Sequence, residues 1–206
     1  MSNSKKISAG QIEFEIRSEV LLEDFNRIKA VLESLYGPAK KTKRLSVLFL
    51  GQGLDGKIDL RIRIDSTSKA EVVIKKGDYH ERDRVEYAVS VEKKEFIGLV
   101  KVFSSLGYES KITERENQFF DAGNGVGATL VTSGNICYVE IEKMTTEKNL
   151  GADEKVVRSV MGSLGLKEMT KDGFTDICKR LSSESDISFN ATEAEYRILQ
   201  DKLNQY

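Results

Sequence analysis

The feature that most constrains the fold is a charged side chain at every second position along several short segments. In residues 11–18, apolar Ile12, Phe14 and Ile16 alternate with charged residues. A period of two is typical of a β-strand, whose successive side chains point to opposite faces. The charged alternate positions are Glu13, Glu15 and Arg17; Arg61 and Arg63; Arg84 and Glu86; Lys111 and Arg115; and Glu140 and Glu142. The pattern therefore predicts a sheet with one strongly charged face.

Strand and helix patterns alternate along the chain in an order typical of an α+β protein. Strands are predicted at 11–18, 44–50, 58–65, 71–75, 84–91, 111–120, 128–132 and 136–144. Helices are predicted at 21–36, 94–106, 153–164, 174–181 and 192–203, with a Ser-rich break at 182–188. Short glycine-containing turns between strands favour antiparallel neighbours.

The charged faces allow two interpretations. In the first, each is the solvated side of an ordinary antiparallel sheet. In the second, helices cover the apolar side, the sheet closes, and the charged side lines a wet lumen, because unpaired buried charges are too costly. A lumen with both arginines and paired glutamates suits a polyphosphate with a hard divalent cation.

Composition excludes several other classes of protein. The chain has 206 residues and a formal net charge of −1, so we expect one domain and find no compositional support for nucleic-acid or membrane binding. Two isolated cysteines fit a reduced compartment and cannot form a cysteine-based zinc site. The polar start and the absence of a long apolar run predict a cytoplasmic protein. The lone His80 is predicted to be a solvated loop residue.

A glycine-rich segment imitates a nucleotide-binding motif. Residues 51–57 match both GxGxxG and the GxxxxGK core of a P-loop. Both motifs need a helix directly after the glycines, whereas Ile58 begins a strand pattern and stands where a P-loop requires Ser or Thr. We therefore predict a hairpin loop here.

Several of these segments resemble the motifs of the CYTH, or triphosphate tunnel, superfamily, which includes thiamine triphosphatases, inorganic triphosphatases and class IV adenylate cyclases. Glu13-Phe14-Glu15-Ile16-Arg17 resembles its opening ExExK strand. The later motifs follow in the family's order over about residues 11–181: Leu60-Arg61-Ile62-Arg63, Val73-Ile74-Lys75-Lys76-Gly77, Arg84-Val85-Glu86, Thr113-Glu114-Arg115 and Val139-Glu140-Ile141-Glu142. The resemblance implies a closed or nearly closed eight-stranded antiparallel barrel with flanking helices as the domain 1–181. Residues 182–206 would be a C-terminal helical extension packed on the same domain.

The resemblance also implies roles for individual residues. The carboxylates implied as catalytic are Glu13, Glu15 and Glu86, and those implied as ligands of Mg²⁺ or Mn²⁺ are Glu13, Glu15, Glu140 and Glu142. The implied triphosphate ligands are Arg17, Arg61, Arg63, Lys75, Arg84, Lys111 and Arg115. The implied partner is a small-molecule triphosphate or polyphosphate, bound by a monomer or homodimer.

Three positions depart from the family pattern. Arg17 replaces a lysine, Ala88 stands where a second glutamate is common, and Thr113 stands where a lysine is usual. Arginine keeps the charge of lysine but is larger and planar, so these departures bear more on catalysis than on binding. The leading hypothesis is a metal-dependent triphosphatase. The alternatives are a non-catalytic polyphosphate- or nucleotide-binding module and a class IV adenylate cyclase.

Overall fold

The computed structural model describes residues 11–53, 56–77 and 82–206. Its strands are β1 Gln11–Glu19, β2 Lys40–Gly53, β3 Gly56–Asp65, β4 Ala70–Lys76, β5 Asp83–Val91, β6 Glu109–Asp121, β7 Val126–Ser133, β8 Ile136–Thr145 and β9 Ile187–Ser188. Its helices are α1 Phe25–Tyr36, α2 Phe96–Ser104, α3 Leu150–Ser163, α4 Lys171–Glu184 and α5 Glu193–Leu203. Each predicted strand and helix is found, and β9 is an additional short strand. His80 lies outside the described residues.

The strands form a closed antiparallel barrel. Their order is β2-β3-β4-β5-β1-β8-β7-β6, and β6 pairs back onto β2. The closing ladder is long, running from Lys40 opposite Phe119 to Leu50 opposite Glu109. Closure removes the free strand edges that an open sheet would expose. The predicted α+β fold with an eight-stranded antiparallel barrel is therefore confirmed.

Strand pairing also shows which structure the glycine-rich segment forms. β2 continues to Gly53, which lies opposite Gly56, and Ile58 lies opposite Gly51 in the same ladder. The segment after the glycines is the strand β3, so the helix that a P-loop requires is replaced by a β-hairpin, as predicted.

The apolar faces of the strands point outward and are covered by helices. One cluster joins the outward side of β1, β7 and β8 to Ile28 and Leu32 of α1 and to Val157 and Met161 of α3. Burial of such side chains contributes about 1.5–3 kcal/mol each. Because the apolar side faces the helices, the charged side of each strand faces the lumen.

A second outer cluster covers the other half of the barrel. The outward residues of β2, β3 and β4 pack against Phe96 and Val100 of α2 and against Leu199 and Leu203 of α5. Helix α5 begins with a capping box, in which Thr192 and Glu195 satisfy each other's backbone N–H groups. The C-terminal helix thus packs on the barrel wall.

Helix α4 differs from the other helices because it packs against inward-facing residues. Ile177 and Leu181 form a cluster with Val131 of β7 and with Ile136 and Tyr138 of β8. The Thr170 side chain caps this helix by accepting the Gly173 N–H at 3.1 Å. The chain then continues into β9, which pairs with β6 at Lys111 and Ile112. This places α4 along one side of the lumen.

Candidate active site in the barrel lumen

The lumen contains a cavity of about 310 Å³ lined mainly by charged side chains. The strands supply these side chains because their alternate positions point inward while the apolar positions face the helices. The acidic lining residues are Glu13, Glu15, Glu140, Glu142 and Asp186, and the basic ones are Arg17, Arg44, Arg61, Arg63, Lys75, Arg84, Lys111 and Arg115. All seven predicted phosphate ligands and all four predicted metal ligands line the cavity.

Three carboxylates from the neighbouring strands β1 and β8 converge. One ligand oxygen from each of Glu13, Glu15 and Glu142 lies within 4.8 Å of the others. Glu15 lies directly opposite Glu142 in the antiparallel ladder, which is why their side chains meet on the same face. The spacing would allow one cation to contact all three carboxylates.

The same carboxylates have shifted pKa values. Burial raises the pKa of Glu15 to about 8, an effect that Arg17 opposes and Glu140 reinforces. Burial, with the charge of Glu13, raises the pKa of Glu142 to about 7. Burial also acts to raise the pKa of Glu13, but the adjacent Lys75 outweighs it and the pKa is lowered. At neutral pH the cluster therefore holds protons that a bound cation would displace.

Lys75 lies among these carboxylates. Its ammonium contacts Glu13 directly, lies 3.1 Å from Glu86 and lies 4.0 Å from Glu15. The sequence resemblance implied a phosphate ligand at this position. In the structure Lys75 also compensates the charge of the acidic cluster, and its role as a phosphate ligand stays a prediction. Glu86 belongs to this network through Lys75 and through Arg63, from which it is 3.8 Å away.

Glu140 lies beside the three-carboxylate cluster, and its direct partner is Arg17. Arg17 Nε donates to Glu140 Oε1 at 3.0 Å, and the same guanidinium contacts Glu15. Burial acts to raise the pKa of Glu140, but Arg17 outweighs it and lowers the pKa to about 2. Phe174 of α4 lies against the other side of Arg17, with its ring centroid 4.7 Å from the guanidinium carbon. Arg17 is thus held between an acidic and an aromatic partner.

The opposite wall carries arginines that also have acidic partners. Arg61 donates to Asp59 at 2.8 Å, and Arg84 reaches the same carboxylate at 3.3 Å. Arg63 donates to Glu71 at 2.7 Å. Arg115 donates to Asp186 at 2.7 Å and to the Ser133 hydroxyl at 2.8 Å. Lys111 contacts Glu109 at 3.1 Å. The cationic wall is therefore largely compensated by carboxylates of the same chain.

Four residues of the lumen network were not identified from the sequence. Arg44 and Asp59 lie on the same alternating faces as the predicted residues, so the period of two contained the signal for both. Tyr138 lies two residues before Glu140 on β8, so the same period of two places both side chains in the cavity wall. Asp186 had no such signal because it lies between α4 and β9, in the segment predicted as a Ser-rich break.

Two departures from the family pattern also face this network. Thr113 is buried and lines the cavity between Lys111 and Arg115 on β6. Ala88 lies on β5 opposite Val73 of β4. Neither residue carries a charge, so neither adds one to this network.

Known structures share this barrel. An adenylate-cyclase candidate from Vibrio parahaemolyticus aligns with a TM-score of 0.65 and 17% identity, covering 83% of this chain and 99% of that one. The PH1012 protein of Pyrococcus horikoshii aligns with a TM-score of 0.58 and 21% identity over 78% of this chain and 93% of that one. HpAC1 from Hippeastrum, whose structure is described with a dominant triphosphatase activity, aligns with a TM-score of 0.54 and 15% identity over 82% of this chain and 95% of that one.

These similarities establish the fold of the chain, an eight-stranded antiparallel barrel with flanking helices. No protein-family model and no curated protein sequence matches the chain. Among the described residues, none of the helices has the length and apolar character needed to cross a bilayer.

Proposed function

We propose that the protein is an enzyme that hydrolyses a triphosphate-containing substrate within the barrel lumen, in the presence of Mg²⁺ or Mn²⁺. The observation that carries this proposal is the pairing of two opposed chemistries in one cavity. A cluster of three carboxylates occupies β1 and β8, and a wall of guanidinium groups occupies β2, β3 and β6. Phosphoryl transfer depends chiefly on positioning the phosphates and neutralising their charge.

The three converging carboxylates suit a hard divalent cation. Glu13, Glu15 and Glu142 would hold the ion, since their oxygens are close together and a bound cation would favour the charged form of Glu15 and Glu142, whose pKa values are raised chiefly by burial. When bound, the ion would supply charge neutralisation and polarisation of the phosphate oxygens. The inferred ligands are oxygen atoms only, which suits magnesium or manganese rather than a thiolate-binding metal.

The arginines would bind and orient the phosphate chain. Arg61, Arg63 and Arg115 reach the cavity while each keeps a carboxylate partner. A guanidinium presents several N–H donors in one plane, so it can contact a phosphate without releasing its first partner. These fixed donors would hold the substrate without reorganisation during the reaction.

One observation favours a second candidate, a polyphosphate-binding module without catalysis. Arg17 contacts both Glu15 and Glu140, so it withholds two of the four glutamates implied as metal ligands. A planar guanidinium that pairs with both carboxylates stabilises the arrangement of the site without metal, which favours binding over turnover. The adenylate cyclase alternative draws support from the neighbouring structure described as a cyclase candidate, which is a similarity of fold.

A phosphate-release assay separates these functions. Purified protein is given inorganic tripolyphosphate, ATP or thiamine triphosphate, with Mg²⁺, Mn²⁺ or EDTA, and orthophosphate and cyclic nucleotide are measured. We expect orthophosphate release that needs the metal and falls at least about 100-fold in Glu142→Gln, which removes one ligand charge at nearly constant volume. The matched control is Glu33→Gln on the outer surface of α1, which should retain full activity. Tight binding without any release would identify the module, and cyclic nucleotide formation from ATP would identify the cyclase.

A further inference from the structure

Arg44 differs from every other cationic residue on the cavity wall. Each of the others contacts a carboxylate of the same chain. For the half-buried Arg44 side chain, the described part of the structure contains neither an ion pair nor a hydrogen bond. A charged group that is withdrawn from water without a partner is costly, so this position calls for an explanation.

The position of Arg44 on β2 makes the lack of a partner more pronounced. In the barrel ladder Arg44 lies directly between Arg115 of β6 and Asp65 of β3. Asp65 does not compensate it, because the Asp65 carboxylate accepts the Thr67 backbone N–H at 2.7 Å within its own turn. Burial, together with the nearby charge of Arg63, lowers the pKa of Arg44. The guanidinium therefore faces the lumen near Arg63 and Arg61, and Glu140 acts on it at a distance without direct contact.

We propose that Arg44 is a phosphate-binding residue, whose guanidinium receives a phosphate group of the polyphosphate ligand. This inference rests on the proposed function and adds a residue that the family motifs do not include. The neighbouring Arg115 is already held by Asp186 and Ser133, and Arg63 by Glu71. A phosphate at this corner would therefore give the Arg44 guanidinium an anion in direct contact, with donors arranged for bidentate binding.

The proposal predicts opposite effects on stability and on binding. In Arg44→Gln the repulsion among the lumen arginines decreases, so the empty protein should unfold at a temperature about 2–4 °C higher. The same change should weaken tripolyphosphate binding about 10- to 100-fold, since a charge-assisted hydrogen bond is lost. A residue that only supports the fold would lower the unfolding temperature instead.

Two control variants carry the same change in net charge. Arg63→Gln leaves Glu71 without its cation and removes the more distant of the two cations near Glu86, so it should lower both the unfolding temperature and the affinity. Lys29→Gln alters an exposed pair on α1 and should change neither quantity measurably. Comparison with Lys29→Gln separates a local contact from a general effect of net charge.

The experiment measures tripolyphosphate binding by calorimetry in EDTA, thermal unfolding without ligand, and phosphate release with Mn²⁺. A higher unfolding temperature together with weaker binding in Arg44→Gln supports the proposal. Binding as tight as that of the wild type, or destabilisation like that of Arg63→Gln, would overturn it. If the wild type binds tripolyphosphate through Arg44 without releasing phosphate, the hydrolase proposal fails while the role of Arg44 stands. If neither the wild type nor Arg44→Gln binds tripolyphosphate, both the hydrolase proposal and the role of Arg44 fail.

Discussion

Replacement of Asp59 by asparagine tests whether the arginine wall depends on one buried carboxylate. Asp59 is 1% exposed, and it accepts hydrogen bonds from both Arg61 and Arg84. Asparagine has nearly the same volume but no charge, so Asp59→Asn removes the compensation and creates almost no cavity. Two guanidinium groups would then share a corner of the lumen without an anion between them.

The magnitude follows from the pKa of Asp59. Burial acts to raise this pKa, but Arg61 and Arg84 outweigh it and lower it from 3.8 to about 2. At about 1.4 kcal/mol for each pH unit, the lowering is worth about 2 kcal/mol. Loss of one partner from a buried ion pair costs about 3–5 kcal/mol. We therefore expect Asp59→Asn to lower the free energy of unfolding by about 3 kcal/mol, or the unfolding temperature by about 6–12 °C.

The effect has a defined pH dependence. A carboxyl whose pKa is lowered in the folded state stabilises the protein above its unfolded pKa, and this stabilisation is lost as the pH falls through the folded pKa. The difference between wild type and Asp59→Asn should therefore be full above pH 4 and shrink towards pH 2, the window between the two values.

Urea unfolding followed by circular dichroism at pH 7 and at pH 3 measures this difference. The control is Asp24→Asn, which alters an exposed ion pair with Arg27 and should change stability by less than about 1 kcal/mol. A loss of less than about 1 kcal/mol in Asp59→Asn at pH 7 would refute the reasoning, because the two arginines would then not need the carboxylate.

Three further predictions concern the acidic side of the lumen. Arg17→Lys should retain tripolyphosphate affinity within about 3-fold and keep or raise turnover, whereas Arg17→Ala should weaken binding about 10-fold or more. Calorimetry measures the affinity and phosphate release measures the turnover. Unchanged affinity in Arg17→Ala would contradict this prediction. Gly127→Ala should destabilise the fold by about 1 kcal/mol, because a Cβ at 127 would lie 2.8 Å from the Phe119 ring; wild-type stability in urea would count against the close packing. Because the folded pKa values of Glu15 and Glu142 are raised to about 8 and about 7, the stabilisation by their bound protons should be lost as the pH rises through that range. Without metal the free energy of unfolding should fall by roughly 6 kcal/mol between pH 5 and pH 9, and Mn²⁺ should abolish the fall; a flat profile in EDTA would exclude the shifted pKa values.

The sequence by itself determined the local structure and the residue types of the lumen. The alternation around Glu13 and Glu15 and around Arg61 and Arg63 depends only on the two-residue period of a strand, which is a local property. The helices predicted at 21–36 and 94–106 likewise follow from the local spacing of apolar residues. The sequence left open whether the charged side faces solvent or a lumen, and the closed barrel with helices on its apolar side decided this.

The tertiary structure alone decided which charges meet. Closure through β2 and β6 and the register between β1 and β8 bring together residues far apart in sequence, and a one-residue change of register would reverse every face. Arg17 therefore pairs with Glu140, which the sequence grouped with the metal ligands, and Arg115 meets Asp186 from a segment without any pattern. Whether a cation such as Arg44 has a partner depends on these distances and on the competing bonds of its neighbours, and no local pattern in the sequence records either.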